Sequence, residues 1–367
     1  MIRLSISFFL FLPLFCLAQN IDYQHPIPFE TKEYVAYKTN QSIKIDGKLD
    51  ESDWAKAKWT SDFVDIEGDL KPSPAHRTRA KMLWDEEYFY FAAVLEEPHI
   101  WATLTERDAI MYHNDDFEIF IDPDADGEYY YEFEMNAHNA IWDLFMLRPY
   151  RVDERHKYIM EWDIKGIQSG VYVEGTLNDP SDTDQFWSVE VAMPWEVLRW
   201  FAKEGRMPLA GEQWRVNFSR VDWWMDIKDG EYVKKPNAET GEEQKWPQEN
   251  WVWSPSGRVD MHQTETWGYV QFSDKKVGKG EDTFMPNPEE AIKWALWQLY
   301  FQQRKHKEEY GHYANGTQPF RIPKVEIKGY YLQPTIECTT HLFEISAASL
   351  DPAKRWYINH EGRIWKE

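Results

Sequence analysis

Apolar and polar residues alternate over short segments from Gln41 to about Phe272, and this period of two is the strongest constraint on the fold of the chain. Asp, Gly, Pro and Asn separate the segments, which favours β-strands joined by tight turns over the longer helices of βαβ units. The pattern therefore predicts an all-β fold, an antiparallel β-sandwich. The predicted strands are 79–84, 88–95, 116–122, 129–136, 170–177, 187–192, 213–220 and 267–272.

Two of these strands, 116–122 and 129–136, are predicted to form a hairpin across Pro123–Gly127. Because side chains alternate along a strand, one face of the hairpin is apolar and the other is polar. The polar face brings together Glu118, Glu132, Glu134 and Asn136. Three interpretations remain open for it: a solvated outer face, a carbohydrate-contacting surface, and a pair of catalytic acids for glycoside hydrolysis.

Outside the strands, the pattern predicts short helices at 51–58, with Asp50 as the N-cap, and at 194–203. We predict an N-terminal extension at 19–40, a β-sandwich domain at 41–273, and a polar linker at 274–288. A helix at 289–310 follows, and a C-terminal β appendage covers 311–367 and packs back on the sandwich.

The first eighteen residues have the features of a signal peptide. Arg3 precedes an apolar run that is too short to span a bilayer, and Cys16 and Ala18 supply the small residues before a cut at Gln19. Lipidation at Cys16 is the competing interpretation, but the bulky Phe15 argues against it. We therefore expect a soluble protein, secreted or periplasmic, whose one remaining cysteine is Cys338.

The charge and the aromatic content narrow the class of partner. The chain carries 63 acidic and 41 basic side chains, a net charge of −22, which repels phosphate backbones and excludes nucleic acid as an expected partner. It also contains 20 Trp, 20 Tyr and 20 Phe, more than a core of this size needs, so some rings should lie on the surface. The histidines show no zinc-ligand spacing.

Four stretches, in this order and spacing, resemble the carbohydrate-binding module family 9 and its relatives. They are Ile45–Trp54, Lys81–Tyr90, Asn114–Asp122 and Trp187–Trp195. Two further stretches, Gly211–Arg220 and Trp267–Phe272, also fit, so the resemblance covers about 41–273.

The resemblance implies a β-sandwich whose cleft holds a sugar between two aromatic rings. Tyr112 falls on the position of the first ring and Glu118 on the glutamate of the family's site. Two positions depart from the pattern, since Glu134 replaces an arginine and the second ring falls near Met261, beside His262. These departures put the identity of the sugar in doubt.

A loop from Val221 to Trp253 carries further aromatic candidates. It contains Trp223, Trp224, Trp246, Trp251 and Trp253. Each ring either anchors the loop or stacks on a pyranose, and we predict that Trp223, Trp224, Trp246 or Trp251 supplies the face opposite Tyr112.

The hairpin turn also has the oxygen-ligand spacing of a calcium loop. Asp122, Asp124 and Asp126 are followed by Gly127, but the position that a helix-flanked calcium loop fills with an acid holds Phe133. An ordinary Asp-rich turn and a calcium site are both open.

Together these features predict an exported, non-catalytic carbohydrate-binding protein that supports carbohydrate catabolism alongside partner enzymes of polysaccharide breakdown. The alternatives are a glycoside hydrolase acting on O-glycosyl bonds and a structural envelope protein with a degenerate sugar site. No nucleophile elbow or phosphate-binding glycine loop points to other chemistry.

Overall fold

The computed structural model describes residues 23–152, 157–236 and 248–367. The predicted signal peptide, with Cys16, and Trp246 lie outside these ranges. No helix within the described ranges is long and apolar enough to cross a membrane.

The described chain is dominated by strands. In chain order they are β1 Glu33–Lys38, β2 Val64–Asp65, β3 Thr78–Trp84, β4 Tyr88–Glu96, β5 Asp116–Asp122, β6 Tyr130–Asn136, β7 Ile141–Met146, β8 Tyr158–Ile159, β9 Gln168–Glu174 and β10 Phe186–Pro194. They continue with β11 Gln213–Trp223, β12 Met225–Lys228, β13 Glu231–Lys234, β14 Gln248–Val252, β15 Gly268–Lys276, β16 Thr335–Cys338, β17 Phe343–Ala348, β18 Arg355–Asn359 and β19 Ile364–Lys366. The α-helices are α1 Ser52–Lys56, α2 Trp195–Leu198 and α3 Glu290–Tyr310, and short 3-10 turns include Met111–His113 and Thr264–Thr266.

One large sheet runs in the order β8-β7-β6-β5-β11-β15-β1-β3-β4-β10-β9, with β14 and β2 attached beside β11. Its two halves pack face to face through alternate side chains. Phe91 of β4 lies 6.0 Å from Phe218 of β11, and Phe89 lies 6.4 Å from Trp214, between ring centroids. This packing is that of a β-sandwich, and the predicted fold class is confirmed.

The centre of the sheet contains a strand that the sequence pattern did not reveal. Residues 33–38, inside the segment predicted as an N-terminal extension, form β1, which pairs in parallel with both β15 and β3. All other pairs in the large sheet are antiparallel.

Trp54, Trp84 and Trp214 lie in α1, β3 and β11 and are buried. The two short helices are shorter than predicted. The N-cap of α1 is Glu51, without a side-chain hydrogen bond, so the expectation of an Asp50 cap is wrong. Pro194 lies just before α2 rather than at its first position.

A buried carboxylate joins the first and fourth of the sequence stretches described above. Glu190 on β10 accepts hydrogen bonds from the backbone N–H groups of Asp46 and Gly47, each 2.9 Å, and from Trp54 Nε1 at 2.7 Å. Gly47 has a φ of +84°, and a Cβ there would lie 2.3 Å from the Val171 carbonyl carbon, so only glycine fits this approach. Glu190 thus fixes the 45–54 segment against the sandwich.

The C-terminal part has a core of its own, formed by α3 against the antiparallel sheet β16-β17-β18-β19. It contacts the sandwich through polar and aromatic groups. Glu290 accepts from Tyr269 Oη at 2.8 Å and from Arg215 at 3.2 Å, and Phe29 stacks on Trp294 with centroids 4.1 Å apart. Cys338 lies in this part as a free thiol.

Candidate functional site

The hairpin β5–β6 forms and pairs the polar faces of its two strands, with Ile121 opposite Tyr131 rather than the expected pairing of Asp122 with Tyr129. Glu118 lies opposite Glu134, and Phe120 lies opposite Glu132. Phe117, Ile119 and Ile121 point into the sandwich core and are fully buried, so the predicted division of faces is confirmed.

The polar face of this hairpin carries four carboxylates, which we call the acid cluster: Asp116, Glu118, Glu132 and Glu134. A solvated outer face was one interpretation of these residues, and it is wrong, because none is more than 5 % exposed. The 3-10 turn Met111–His113 and the segment around Met261 and Trp267 form an outer apolar layer over β5, β6 and β7. The 3-10 turn directly precedes β5, whereas Met261 and Trp267 are far from the hairpin in sequence.

Burial without a countercharge changes the acidity of the cluster. It raises the pKa of Glu118 to about 7. The pKa values of Glu132 and Glu134 are raised well above the ordinary range by burial and by the charges of their neighbours, among them Glu118. The cluster therefore binds protons, or another cation, more readily than exposed carboxylates do.

His262 is buried in the same outer layer, not exposed as a sugar ligand would be. Its Nδ1 is 2.7 Å from Tyr130 Oη, and its Nε2 is 3.9 Å from Glu132 Oε1. Burial and the nearby Arg151 lower the pKa of His262 to about 3, so the ring is neutral and gives the acid cluster no charge. The hypothesis that His262 contacts sugar is corrected to a packing role.

Three half-exposed tyrosines lie beside the acid cluster: Tyr112, Tyr150 and Tyr158, with exposures of 38 %, 43 % and 42 %. We call them the tyrosine surface. The rings of Tyr150 and Tyr158 are 6.1 Å apart in a T-shaped arrangement. Burial raises the pKa of both Tyr112 and Tyr150, and the charge of Glu134 raises both further.

Tyr112 is held in place through its backbone. Its N–H donates to Glu134 Oε2 at 3.2 Å, and its carbonyl accepts from Trp223 Nε1 at 2.9 Å. Glu118 and Glu134 are too buried to serve as the sugar contacts that we hypothesised, and Glu134 supports Tyr112 instead.

The tryptophan loop does not provide a ring opposite Tyr112 within the described residues. Trp223 is buried, with Lys234 Nζ 3.1 Å from its ring centroid, and Trp251 is buried against the guanidinium of Arg220. Both rings therefore anchor the loop. Trp224 is 50 % exposed, and its Nε1 donates to Glu249 at 2.9 Å.

Trp224 lines a separate cleft of about 880 Å³, which we call the tryptophan cleft. Its other walls include Trp251, Asp222, His76 and Lys71. Mixed polar and aromatic walls suit a small polar ligand, so this cleft is a rival to the tyrosine surface. The sequence pattern grouped Trp224 with Tyr112, whereas the ring that contacts Tyr112 is the buried Trp223, whose Nε1 donates to the Tyr112 carbonyl.

The aspartate turn keeps its three acids together. Oxygen atoms of Asp122, Asp124 and Asp126 lie within 4.8 Å of one another. Asp122 accepts from the backbone N–H groups of Ala125 and Gly127, and Arg363 Nε donates to Asp126 Oδ2 at 2.9 Å. One of the three acids is thus already paired with a guanidinium.

Sequence comparison supports the fold and the family resemblance. Residues 45–212 match the family described as "Carbohydrate family 9 binding domain-like". The matched part of the chain includes the acid cluster and the tyrosine surface. No curated protein matches the chain.

Solved structures give distant similarities. A carbohydrate binding module family 9 from Caldicellulosiruptor kristjanssonii in complex with cellotriose is 14 % identical over 70 % of this chain and 100 % of that one, with a TM-score of 0.42. A candidate carbohydrate-binding protein from Bacteroides uniformis is 15 % identical over 66 % of this chain and 100 % of that one, with a TM-score of 0.47. Identities and TM-scores this low do not identify a ligand for this chain.

Proposed function

We propose that this chain is an exported, non-catalytic carbohydrate-binding protein that holds poly- or oligosaccharide in support of carbohydrate catabolism by partner enzymes. The observation that carries the proposal is the tyrosine surface, which lies inside the segment that matches a carbohydrate-binding family. Exposed tyrosines combine an apolar face, which stacks on the C–H face of a pyranose, with a hydroxyl that hydrogen-bonds to sugar hydroxyls.

The surroundings of Tyr112 favour binding by a prepositioned ring. Its two backbone hydrogen bonds, to Glu134 and from Trp223, fix the chain on both sides of the side chain. A ring that is already ordered loses little conformational entropy when a ligand binds. Tyr150 and Tyr158 extend the same surface, so an oligosaccharide would meet more than one ring.

One observation favours a glycoside hydrolase: burial raises the pKa of Glu118 to about 7, the range of a general acid. The geometry opposes it. Glu118 and its cross-strand partner Glu134 are both more than nine-tenths buried, so a glycosidic bond has no place between their carboxyl groups.

A glycan array on the mature protein tests the proposed function. Binding to a defined set of glycans without release of reducing sugar is the expected result. Release of reducing sugar that disappears in Glu118→Gln would establish the hydrolase instead. Absence of binding to every glycan of a wide panel would contradict carbohydrate binding and would favour the alternative of a structural envelope protein.

We also propose that the aspartate turn binds calcium. The carboxylates of Asp122, Asp124 and Asp126 lie close enough to share one cation, and burial with the charges of Asp124 and Asp126 raises the pKa of Asp122. Calcium bound only to the native state at a hundredfold excess over its Kd stabilises it by about 2.7 kcal/mol. We expect the melting temperature to rise from chelator to millimolar calcium, and part of this rise to be lost in Asp124→Asn. An equal rise in both proteins would count against the turn.

Export is proposed from the first eighteen residues alone. We expect the mature protein to begin at Gln19 and to carry no lipid, because Phe15 is too large for the residue before a lipidated cysteine. Intact-mass analysis of the exported protein measures this directly. A mass that includes Cys16 and an acyl chain would show a lipoprotein.

A further inference from the structure

Four groups of Asp, Glu and His side chains in the described chain, one of them with His76, bring their ligand atoms within 4.8 Å of one another. In three of these groups, at least one carboxylate pairs with the guanidinium of an arginine. Arg220 pairs with Glu97 and Asp222, Arg107 pairs with Asp143 and Asp163, and Arg363 pairs with Asp126. The fourth group is Asp116, Glu118 and Glu134 of the acid cluster.

This fourth group has no basic partner among the residues that the structure describes. No Lys or Arg nitrogen there comes within 4.0 Å of its carboxylates, and the contact of His262 Nε2, at 3.9 Å, is with Glu132, outside this group. The group is also the most completely buried of the four, with all three side chains at 5 % exposure or less. Buried like charges without a countercharge are strongly unfavourable.

Two oxygen atoms of the acid cluster are buried without any hydrogen-bond donor. Asp116 Oδ1 accepts the N–H of Val221 at 3.1 Å, but Asp116 Oδ2 has no partner, and the side chain is fully buried. Glu132 Oε2 is likewise buried and unpartnered. Buried polar atoms are nearly always satisfied in native proteins, so these two atoms indicate a missing ligand.

We infer that the acid cluster holds a divalent cation of the size of Ca²⁺, bound by carboxylate oxygens of Asp116, Glu118 and Glu134. All candidate ligands are oxygens, which selects hard cations. Two oxygens on opposite sides of a Ca²⁺ ion are about 4.6–5.2 Å apart, which accommodates the spacing of these ligand atoms.

The neighbouring strands can complete the coordination. Glu132 lies beside Glu134 on β6, and Ser219 of β11 lies opposite Glu118 and brings a buried hydroxyl. Carboxylates bind Ca²⁺ with one oxygen or two, so these side chains can supply its usual six to eight ligands. The octahedral geometry of Mg²⁺ with several retained waters fits this closed, carboxylate-rich setting less well.

Calorimetric titration of CaCl₂ into the chelator-treated mature protein, without sugar, tests the site. We expect a binding component that weakens at least about tenfold in Glu134→Gln, since affinity follows the number of charged ligands. The matched control is Asp124→Asn, in the aspartate turn, which should keep that component. A wild-type protein that binds no calcium, or an unchanged isotherm in Glu134→Gln, would overturn the inference in favour of protons shared among the carboxyl groups.

A second measurement covers the case in which the cluster variants do not fold. Native mass spectrometry of Asp124→Asn/Asp126→Asn, which removes acids of the turn alone, should still count at least one bound calcium. A count of zero in this variant contradicts the inference. Because neither measurement uses a carbohydrate, the result is independent of the proposed sugar binding.

Discussion

Replacing Arg220 by methionine is expected to lower the free energy of unfolding by about 3–5 kcal/mol, the usual effect of removing one partner of a buried ion pair. Arg220 is fully buried and donates to Glu97, to Asp222 at 2.9 Å, to Thr78 at 3.1 Å and to the Glu96 carbonyl at 2.8 Å. Methionine fills most of the space of the arginine side chain. The loss of stability therefore measures the cost of leaving the Glu97 and Asp222 carboxylates without a countercharge, and not the cost of a cavity.

Urea denaturation of both proteins measures this loss. The matched control is Arg77→Met, because Arg77 pairs with Asp62 at 2.8 Å on the surface, with both side chains about half exposed. That variant should change stability by less than about 1 kcal/mol. Equal effects of the two substitutions would mean that the Arg220 network does not hold β11 to the loops around it.

Replacing Glu190 by alanine is expected to destabilise the fold by about 3 kcal/mol, because two buried donors and one partly buried donor lose their acceptor. Those donors are the N–H groups of Asp46 and Gly47 and Trp54 Nε1. Glu196→Ala is the control, since Glu196 is exposed and pairs with Arg199 on the surface. It should cost less than about 0.5 kcal/mol.

The Glu190 effect should also depend on pH. Burial raises the pKa of Glu190 to about 7, so the folded protein binds this proton more tightly than the unfolded chain does. Stability from this group is therefore greatest below the unfolded pKa and falls as pH rises toward 7. The difference between wild type and Glu190→Ala should be larger at pH 5 than at pH 8. A difference that grows with pH would contradict the assignment.

The strand pattern of the sandwich was predictable because it is local. Alternation alone placed Phe117, Ile119 and Ile121 in the core, whereas the exact register of the hairpin differs by one residue from the expected pairing across the turn. The parallel strand β1 was missed because its six residues adjoin strands that are remote in sequence.

The site was less predictable because its cover comes from elsewhere in the chain. Met261 and Trp267 pack on the outer side of the hairpin, and no periodic pattern within the hairpin predicts that residues so distant in sequence cover it. The roles of Trp223 and Trp251 were equally hidden, since an anchoring ring and a stacking ring look alike in a loop. Tyr150 had a signal that was overlooked: it follows Pro149 in the loop after β7, where an aromatic ring has no strand to bury it.

The most direct test of the central claim is to locate the sugar. Once an array has identified a ligand, calorimetry on wild type, Tyr112→Ala and Trp224→Ala distinguishes the tyrosine surface from the tryptophan cleft. Loss of one stacking ring costs about 1–3 kcal/mol in comparable aromatic stacking, so Tyr112→Ala should weaken binding about tenfold or more. Trp224→Ala should leave the affinity unchanged. Unchanged affinity in Tyr112→Ala, with a loss in Trp224→Ala, would contradict the account and place the sugar in the tryptophan cleft.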